Sequence, residues 1–333
     1  MIVPQFWAEA RSQHKANGKQ ITVRRFGWSN ASEADAQACA DLRVQEAMQR
    51  LLSGEKLDRR ERKVPYNGAD GVPIREEIIE RHAASSNGAD EIIITRNSYG
   101  ARCLNTPNVF FADVDFDVAT GCGFVFTALG LLLATAFGFA VTVRPKASWV
   151  MLAIALAVIL SPFLGIFLAT AWTKIKGGAK AAASAAIKAF ALKNPTWNLR
   201  VYETPAGYRV LATHQTFAPQ SAAVAAAFKA LGADPIYAQM CIKQNCFRAR
   251  VTAKPWRIDV HDTLRPRPGV WPVQPQYLPG REAWVRDYEA KARAFAACKF
   301  VEEMGSGVVH NDVVATLKLH DAMCGAASGM PIA

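Results

Sequence analysis

The segment VFFADVDFD, residues 109–117, places three aspartates at alternate positions of an otherwise apolar stretch. Alternate side chains of a β-strand point to the same face of the sheet, so a strand here presents Asp113, Asp115 and Asp117 together. Carboxylates that lie this close repel one another unless a cation lies among them. The sequence therefore predicts a cation site along this strand.

The D-x-D-x-D spacing also opens a calcium-binding loop, but this chain lacks the rest of that motif. Val118 stands where the loop needs glycine, and Phe124 stands where it needs a bidentate glutamate. Paired carboxylates at the end of a strand fit Mg²⁺ or Mn²⁺, which bind carboxylate oxygens and share their remaining positions with substrate phosphates. The alternative is an acidic strand end that pairs with nearby lysines and arginines.

Two later segments carry residue types that bind phosphate or complete a metal site. ETPAGYR places Gly207 in a tight turn and Arg209 on the strand that follows, so backbone amides and a guanidinium are available to phosphate oxygens. LGADP offers Asp234 at a predicted helix-to-strand connection. Both segments are also consistent with an ordinary turn and cap.

A third segment, FRARVTAKPWR, is basic and contains one aromatic residue. Arg248 and Arg250 lie on one face of a predicted strand, and Lys254, Trp256 and Arg257 follow it. Basic side chains beside an aromatic ring are suited to a nucleotide or a nucleic-acid backbone. A solvated strand is the alternative.

The order VFFADVDFD, YETPAGYRVLATH, LGADP and FRARVTAKPWR resembles the archaeo-eukaryotic primase and primase-polymerase superfamily, especially its plasmid-replication primase branch. In that superfamily a hydrophobic strand ends in DxD, a hairpin carries a glycine followed by histidine or arginine, and a hydrophobic residue precedes a further aspartate. The resemblance implies that Asp113 and Asp115 are paired metal ligands and that Asp234 is the third carboxylate. It places Arg209, or alternatively His214, at the nucleotide-phosphate position.

The resemblance covers about residues 90–118 and 197–260, and it implies metal-dependent nucleotidyl transfer. Such proteins use Mg²⁺ or Mn²⁺ and nucleoside triphosphates to begin or extend a strand on a template, so nucleic acid and nucleoside triphosphates are the implied partners. Metal ions would align a 3′-hydroxyl with an α-phosphate. Arg209, Arg248 and Lys254 would neutralise the phosphates.

Two other functions remain open at this point. A membrane glycosyltransferase also uses DxD to hold a metal and a nucleotide-sugar diphosphate, although the chain lacks a clear nucleotide-binding strand pattern before the motif. A non-catalytic, membrane-tethered protein that binds nucleic acid or protein is the third possibility.

Two long apolar segments, residues 124–143 and 149–172, contain no charged side chain. About 20 apolar residues are enough to span the hydrocarbon core of a bilayer, so both are predicted transmembrane helices. The link between them is five residues long, which makes them a hairpin with both flanks on one side. Three lysines follow the second segment and two basic residues lie in the link, which favours cytoplasmic N- and C-terminal regions. The prediction is a multi-pass protein of the inner, cytoplasmic membrane with the lipid bilayer as a partner.

The charge and the cysteines limit the partners and the compartment. The formal net charge is +11, which favours anionic partners. Seven cysteines form no CxxC pair, as expected of reduced thiols, and Cys241 and Cys246 lack a second pair that would indicate zinc. The spacing of His310, His320 and Asp321 gives no ligand geometry, and a structural role is predicted for them.

The predicted fold class is α+β, with a palm-like mixed or antiparallel sheet, flanking helices and the inserted hairpin. The predicted organisation is a mainly helical region over 1–90, a discontinuous palm-like domain over 91–120 and 197–261, the transmembrane hairpin over 121–173, an Ala/Lys-rich helix over 174–196, and a Pro-rich linker with C-terminal helices over 262–333.

Overall fold

The computed structural model describes residues 3–16, 18–61, 72–84, 91–116, 122–175, 177–266 and 271–333. Its strands are β1 (Phe6–Ala16), β2 (Lys19–Ser29), β3 (Glu77–Ala83), β4 (Glu91–Arg96), β5 (Arg102–Thr106), β6 (Phe111–Asp115), β7 (Asn198–Thr204), β8 (Gly207–Ala212), β9 (Phe247–Arg250) and β10 (Lys299–Gly305). Its α-helices are α1 (Glu33–Leu52), α2 (Cys122–Val143), α3 (Ala147–Ile175), α4 (Gly178–Lys193), α5 (Ala222–Leu231), α6 (Pro235–Gln244), α7 (Leu278–Ala292) and α8 (Asn311–Cys324).

The strands form three sheets in which every pair is antiparallel. One four-stranded sheet has the order β10-β7-β8-β6, a second has the order β3-β4-β5-β9, and β1 and β2 form a separate hairpin. The sequence predicts one palm-like sheet over residues 91–120 and 197–261. The strands of that region are instead divided between the two four-stranded sheets, and each sheet adds one strand from outside the region.

A single large apolar core joins the two four-stranded sheets and helices α4, α5, α6 and α8. Phe110, which directly precedes β6, is fully buried at its centre and packs against Phe217, Phe228 and Phe247 with ring centroids 5.1–5.6 Å apart. Burial of large aromatic side chains on this scale is a major stabilising contribution. This packing fixes the start of the strand that carries the aspartates.

The N-terminal region is not mainly helical, which corrects the prediction for residues 1–90. Eleven-residue strands β1 and β2 pair along their whole length, and α1 packs on them. Ser32 caps α1, as its position before an acidic first turn indicates. Gly27 allows the close approach, because a Cβ there would lie 2.2 Å from the carbonyl oxygen of Ala36. The segment IREEIIERH is also not a helix, since it is a strand from Glu77 onward, where β3 pairs with β4.

Helices α2 and α3 form the predicted apolar hairpin between β6 and β7. Both are long and apolar enough to cross a membrane. The residues of α3 that face inward are Ala157, Ser161, Gly165 and Ala169. They recur every four residues, so they make one small-residue stripe that lets α2 approach closely. A Cβ on Gly165 would lie 2.9 Å from the Cα of Val125.

The C-terminal region contains a strand that the sequence pattern did not indicate. The described residues of 262–333 contain α7 and α8, and β10 lies between these helices and forms an edge of the β7-containing sheet. Its exposed and half-buried residues alternate as expected for an edge strand. The architecture is thus α+β with antiparallel sheets and eight helices in the described residues.

Candidate functional site

A cavity of about 330 Å³ opens where the two four-stranded sheets meet. Its charged lining residues come from segments far apart in sequence: Arg75, Glu76, Asp113, Asp115, Arg209, Asp234, Arg248, Arg250, Lys254 and Arg257. Its volume lies within the usual range for small-molecule sites. The sequence predicted eight of these ten residues as site residues, and the fold brings those eight to one place.

Strand β6 presents its two described aspartates to this cavity. Asp113 lies opposite Arg209 of β8, and Asp115 lies opposite Gly207. Asp113 is half-buried and Asp115 is exposed. Asp117 lies outside the described residues. The alternation that the sequence indicated therefore places Asp113 and Asp115 on the cavity side of the strand.

Asp113 forms an ion pair with Arg209, whose side chain is 2% exposed. The guanidinium Nε donates to Asp113 Oδ1 at 2.9 Å, and another guanidinium nitrogen donates to the Arg250 carbonyl oxygen at 2.8 Å. Burial alone lowers the pKa of Arg209, but the Asp113 carboxylate and the nearby cysteines raise it above its ordinary value. Arg209 thus stays charged and holds Asp113 in place.

Asp234 reaches the same place from the start of α6. Its backbone N–H donates to the Asp113 carbonyl oxygen at 2.9 Å, and its side chain accepts from the Ile236 N–H at 2.8 Å. Asp234 is therefore the N-cap of α6 and links α5 to α6, so it does not lie at a helix-to-strand connection as predicted. The positive end of the α6 dipole opens onto the cavity beside it.

The basic segment around β9 contributes four cations with different surroundings. Arg248 is paired with both oxygens of Glu76, at 2.7 and 2.6 Å, and with Asn105 at 3.3 Å. Burial lowers the pKa of Lys254, and the neighbouring charges of Arg250 and Arg257 lower it further. A cluster of cations with a depressed lysine pKa in a cleft marks a candidate functional site.

Arg75 and Glu76 are lining residues that the sequence did not predict. Arg75 stacks on Trp7 and Phe26, with its guanidinium carbon 4.8 and 4.6 Å from the ring centroids, and burial lowers its pKa to about 10. Glu76 pairs with Arg248 across 172 positions of sequence. No local pattern indicates a pair at that separation.

Two predicted residues do not act as lining side chains. His214 lies outside the cavity, where its ring packs on Trp197 and Phe217 and its Nδ1 accepts from the Asn198 N–H. Burial lowers its pKa. Gly207 has a steric role, because a Cβ there would lie 2.3 Å from the Val114 carbonyl oxygen. Arg209 is thus the charged residue of this hairpin that lines the cavity, together with the uncharged Thr204 and Ala206.

The charges in the cavity do not balance. Six of its lining residues are basic and four are acidic. The ion pairs of Arg209 with Asp113 and of Arg248 with Glu76 each remove one charge of either sign, so the excess of two basic residues remains. A concave site with this excess attracts anions.

Asp113, Asp115 and Asp234 are not among the groups of three converging metal donors in the described residues. Within the described ranges, the one group of three donors whose ligand atoms all lie within 4.8 Å of one another is Cys298, His320 and Cys324, which lies outside the cavity lining. No family model matches this chain, and neither the curated proteins nor the solved structures include a match. The cavity must therefore be interpreted from its own geometry.

Proposed function

We propose that this chain is a membrane-tethered, primase-polymerase-like protein whose cavity binds a nucleoside triphosphate with Mg²⁺ or Mn²⁺. The observation that carries the proposal is the meeting of Asp113, Asp115 and Asp234 with Arg250 and Lys254 in one cavity. Acidic residues able to hold a hard cation thus lie beside cations able to hold phosphate. A metal–triphosphate complex combines both requirements.

In this proposal the carboxylates and the cations have separate tasks. Asp115 and Asp234 supply oxygens to the metal, while Arg209 fixes the orientation of Asp113. Arg250, Lys254 and Arg257 neutralise the phosphate oxygens, because the guanidinium groups of Arg209 and Arg248 are already paired with carboxylates. The metal supplies charge stabilisation at the α-phosphate in nucleotidyl transfer.

The glycosyltransferase alternative is less well supported. Nucleotide sites of doubly wound folds lie at the carboxyl ends of parallel strands. The sheets of the described residues contain antiparallel pairs only. A non-catalytic binding protein would use the same basic side chains to hold its ligand. A measurement of catalytic activity distinguishes this hypothesis from that of an enzyme.

The membrane placement belongs to the same proposal. Strand β6 precedes the α2–α3 hairpin and β8 follows it, yet the two strands are paired in one sheet. Both ends of the hairpin therefore lie on one side of any membrane it crosses. We place this side in the cytoplasm because it carries three lysines, one in the last turn of α3 and two within the next five residues, against two basic residues in the link.

Nucleotide incorporation by the detergent-solubilised full chain tests the proposal. The assay uses labelled nucleoside triphosphate, a primed template and Mn²⁺ or Mg²⁺. We expect metal-dependent incorporation that falls at least about 100-fold in Asp115→Asn. Asp312→Asn, at the start of α8 and outside the cavity lining, is the matched control. Incorporation without metal, or equal incorporation in Asp115→Asn, would contradict the catalytic role, and no incorporation by the wild-type chain would leave only the binding function.

A further inference from the structure

A second group of side chains suited to metal binding consists of Cys298, His320 and Cys324, which are all buried. Two of the three lie on α8. His320 and Cys324 are four residues apart on this helix, so they lie one turn apart on the same face. Cys298 comes from the residue before β10. The Ala297 N–H donates to the Cys324 carbonyl oxygen at 2.9 Å and holds the two segments together.

The donor atoms of these residues converge. Cys298 Sγ lies 4.0 Å from His320 Nε2, and all three donor atoms lie within 4.8 Å of one another. Ligands at about 2.1–2.3 Å in a tetrahedral arrangement lie about 3.5 Å apart. Rotamer adjustments of about 1 Å or less therefore bring this cluster to coordination distance.

The imidazole is oriented for a metal. Asp321 Oδ1 lies 3.0 Å from Nδ1 of His320, which leaves Nε2 directed at the thiols. A carboxylate behind a histidine is the usual outer partner of a metal-binding imidazole. The ring also packs against Phe111 and Tyr202, with centroids 5.2 and 4.8 Å away, so it is held in place on both sides.

We propose that Cys298, His320 and Cys324 bind one Zn²⁺ ion. Two thiolates and one neutral imidazole are the donors that zinc prefers, whereas Mg²⁺ and Mn²⁺ prefer oxygen. The two thiolates neutralise the ion, so the fold buries a complex without net charge. The Arg250 carbonyl oxygen, 4.0 Å from Cys324 Sγ, lies at the edge of the donor set.

This zinc site reinforces the wall behind the cavity. It joins α8 to the beginning of β10, and Cys324 Sγ lies 4.0 Å from the Arg250 carbonyl oxygen, which also accepts a hydrogen bond from Arg209, the partner of Asp113. The proposal is nevertheless independent of nucleotide binding, because the zinc donors and the cavity residues are different side chains. A metal measurement therefore tests it without any assay of activity.

Elemental analysis of the full chain, purified in detergent without chelators, provides the first test. We expect about one zinc per chain in the wild type and at least a fivefold loss in Cys298→Ser, Cys324→Ser and His320→Asn. Cys241→Ser, a buried cysteine outside the cluster, is the matched control and keeps its zinc. Loss of zinc from the control to the same extent would show that the effect is unspecific and would overturn the assignment.

Cobalt substitution of the wild-type chain keeps the proposal testable if the variants fail to fold. Co²⁺ bound by two thiolates gives a near-ultraviolet sulfur-to-metal band and visible bands of a tetrahedral ion. We expect both in the wild type and in Cys241→Ser. A wild-type chain that holds no zinc and gives no cobalt–thiolate band would overturn the proposal, and so would peptide mapping that finds Cys298 and Cys324 joined as a disulfide.

Discussion

Arg209 and Asp113 face each other across the paired strands β8 and β6, with the guanidinium Nε 2.9 Å from Asp113 Oδ1. The arginine side chain is 2% exposed, whereas the aspartate side chain is 32% exposed at the cavity wall. One residue is therefore a buried cation, and the other carries the compensating charge to the edge of the site. The pair connects the stability of the central sheet to the chemistry of the cavity.

This pairing predicts that Asp113→Asn destabilises the fold. The substitution leaves the Arg209 charge buried without its carboxylate, which costs about 3 kcal/mol in the free energy of unfolding. Urea titration of the full chain in detergent, followed by circular dichroism, measures the change. Asp115→Asn, at the exposed end of the same strand, changes it by less than about 0.5 kcal/mol. Equal stability of Asp113→Asn and the wild type would contradict the structural role of the pair.

We expect replacement of Lys254 to have opposite effects on the stability of the chain and on nucleotide binding. Its pKa is lowered from the ordinary value of 10.5, first by burial and then by neighbouring arginines. At pH 7 its charge therefore opposes folding, so Lys254→Met raises the melting temperature of the nucleotide-free chain. The gain shrinks as the pH rises through the lowered pKa towards 10.5, because the folded lysine loses its proton before the unfolded one does.

The same variant weakens nucleotide binding, because a cation that contacts phosphate is lost. We expect about a tenfold increase in the dissociation constant. Lys243→Met, an exposed lysine of α6, is the control and changes neither quantity. This interpretation of the basic cluster would be contradicted if Lys254→Met were less stable than the wild type at pH 7. It would also be contradicted if the variant bound nucleotide as well as the wild type does.

We expect a side chain at position 207 to have a steric effect on β6, the strand that carries Asp113 and Asp115. A Cβ at this position meets the Val114 carbonyl oxygen, so Gly207→Ala must push β6 away from β8. We expect a loss of about 1–3 kcal/mol in the free energy of unfolding. Gly280→Ala is the control, since a Cβ in that turn of α7 meets open space. If thermal melts of the two variants coincide, the close approach of the strands is unimportant.

The close approach of α2 and α3 at Gly165 is expected to hold the apolar hairpin together. Gly165→Leu inserts a large side chain where α3 approaches Val125 of α2, and overpacking of this kind costs about 1–3 kcal/mol. Gly138→Leu, on the open side of α2, is the matched control. Melting in detergent and resistance to alkaline extraction from membranes are the measurements. Equal behaviour of the two variants would argue against the small-residue stripe as the contact.

The parts of the fold that the sequence predicted are those with strong local patterns. Apolar length identifies α2 and α3, and alternation around TPAG identifies the β7–β8 hairpin. The β1–β2 pairing also has a signal in the sequence, because the dipeptide Asn-Gly at positions 17 and 18 is typical of a two-residue hairpin turn. The division of the strands into two sheets has no local signal, since it depends on long-range pairing.

The candidate site shows the same limit. Asp113, Asp115 and Arg209 are recognisable because their strands are neighbours and their spacing is regular. The Arg248–Glu76 pair and the Cys298 thiol join segments that no motif connects. The four-residue spacing of His320 and Cys324 was the available clue to the cluster on α8, but a two-donor pattern without its third ligand does not indicate a metal site.

Calorimetric titration of the full chain in detergent with a non-hydrolysable nucleoside triphosphate tests the central claim most directly. The account predicts binding that requires Mg²⁺ or Mn²⁺ and weakens at least about tenfold in Asp115→Asn, whose fold is expected to be intact. Binding that is equally strong in a chelator, or unchanged in Asp115→Asn, would contradict a metal–nucleotide site in this cavity.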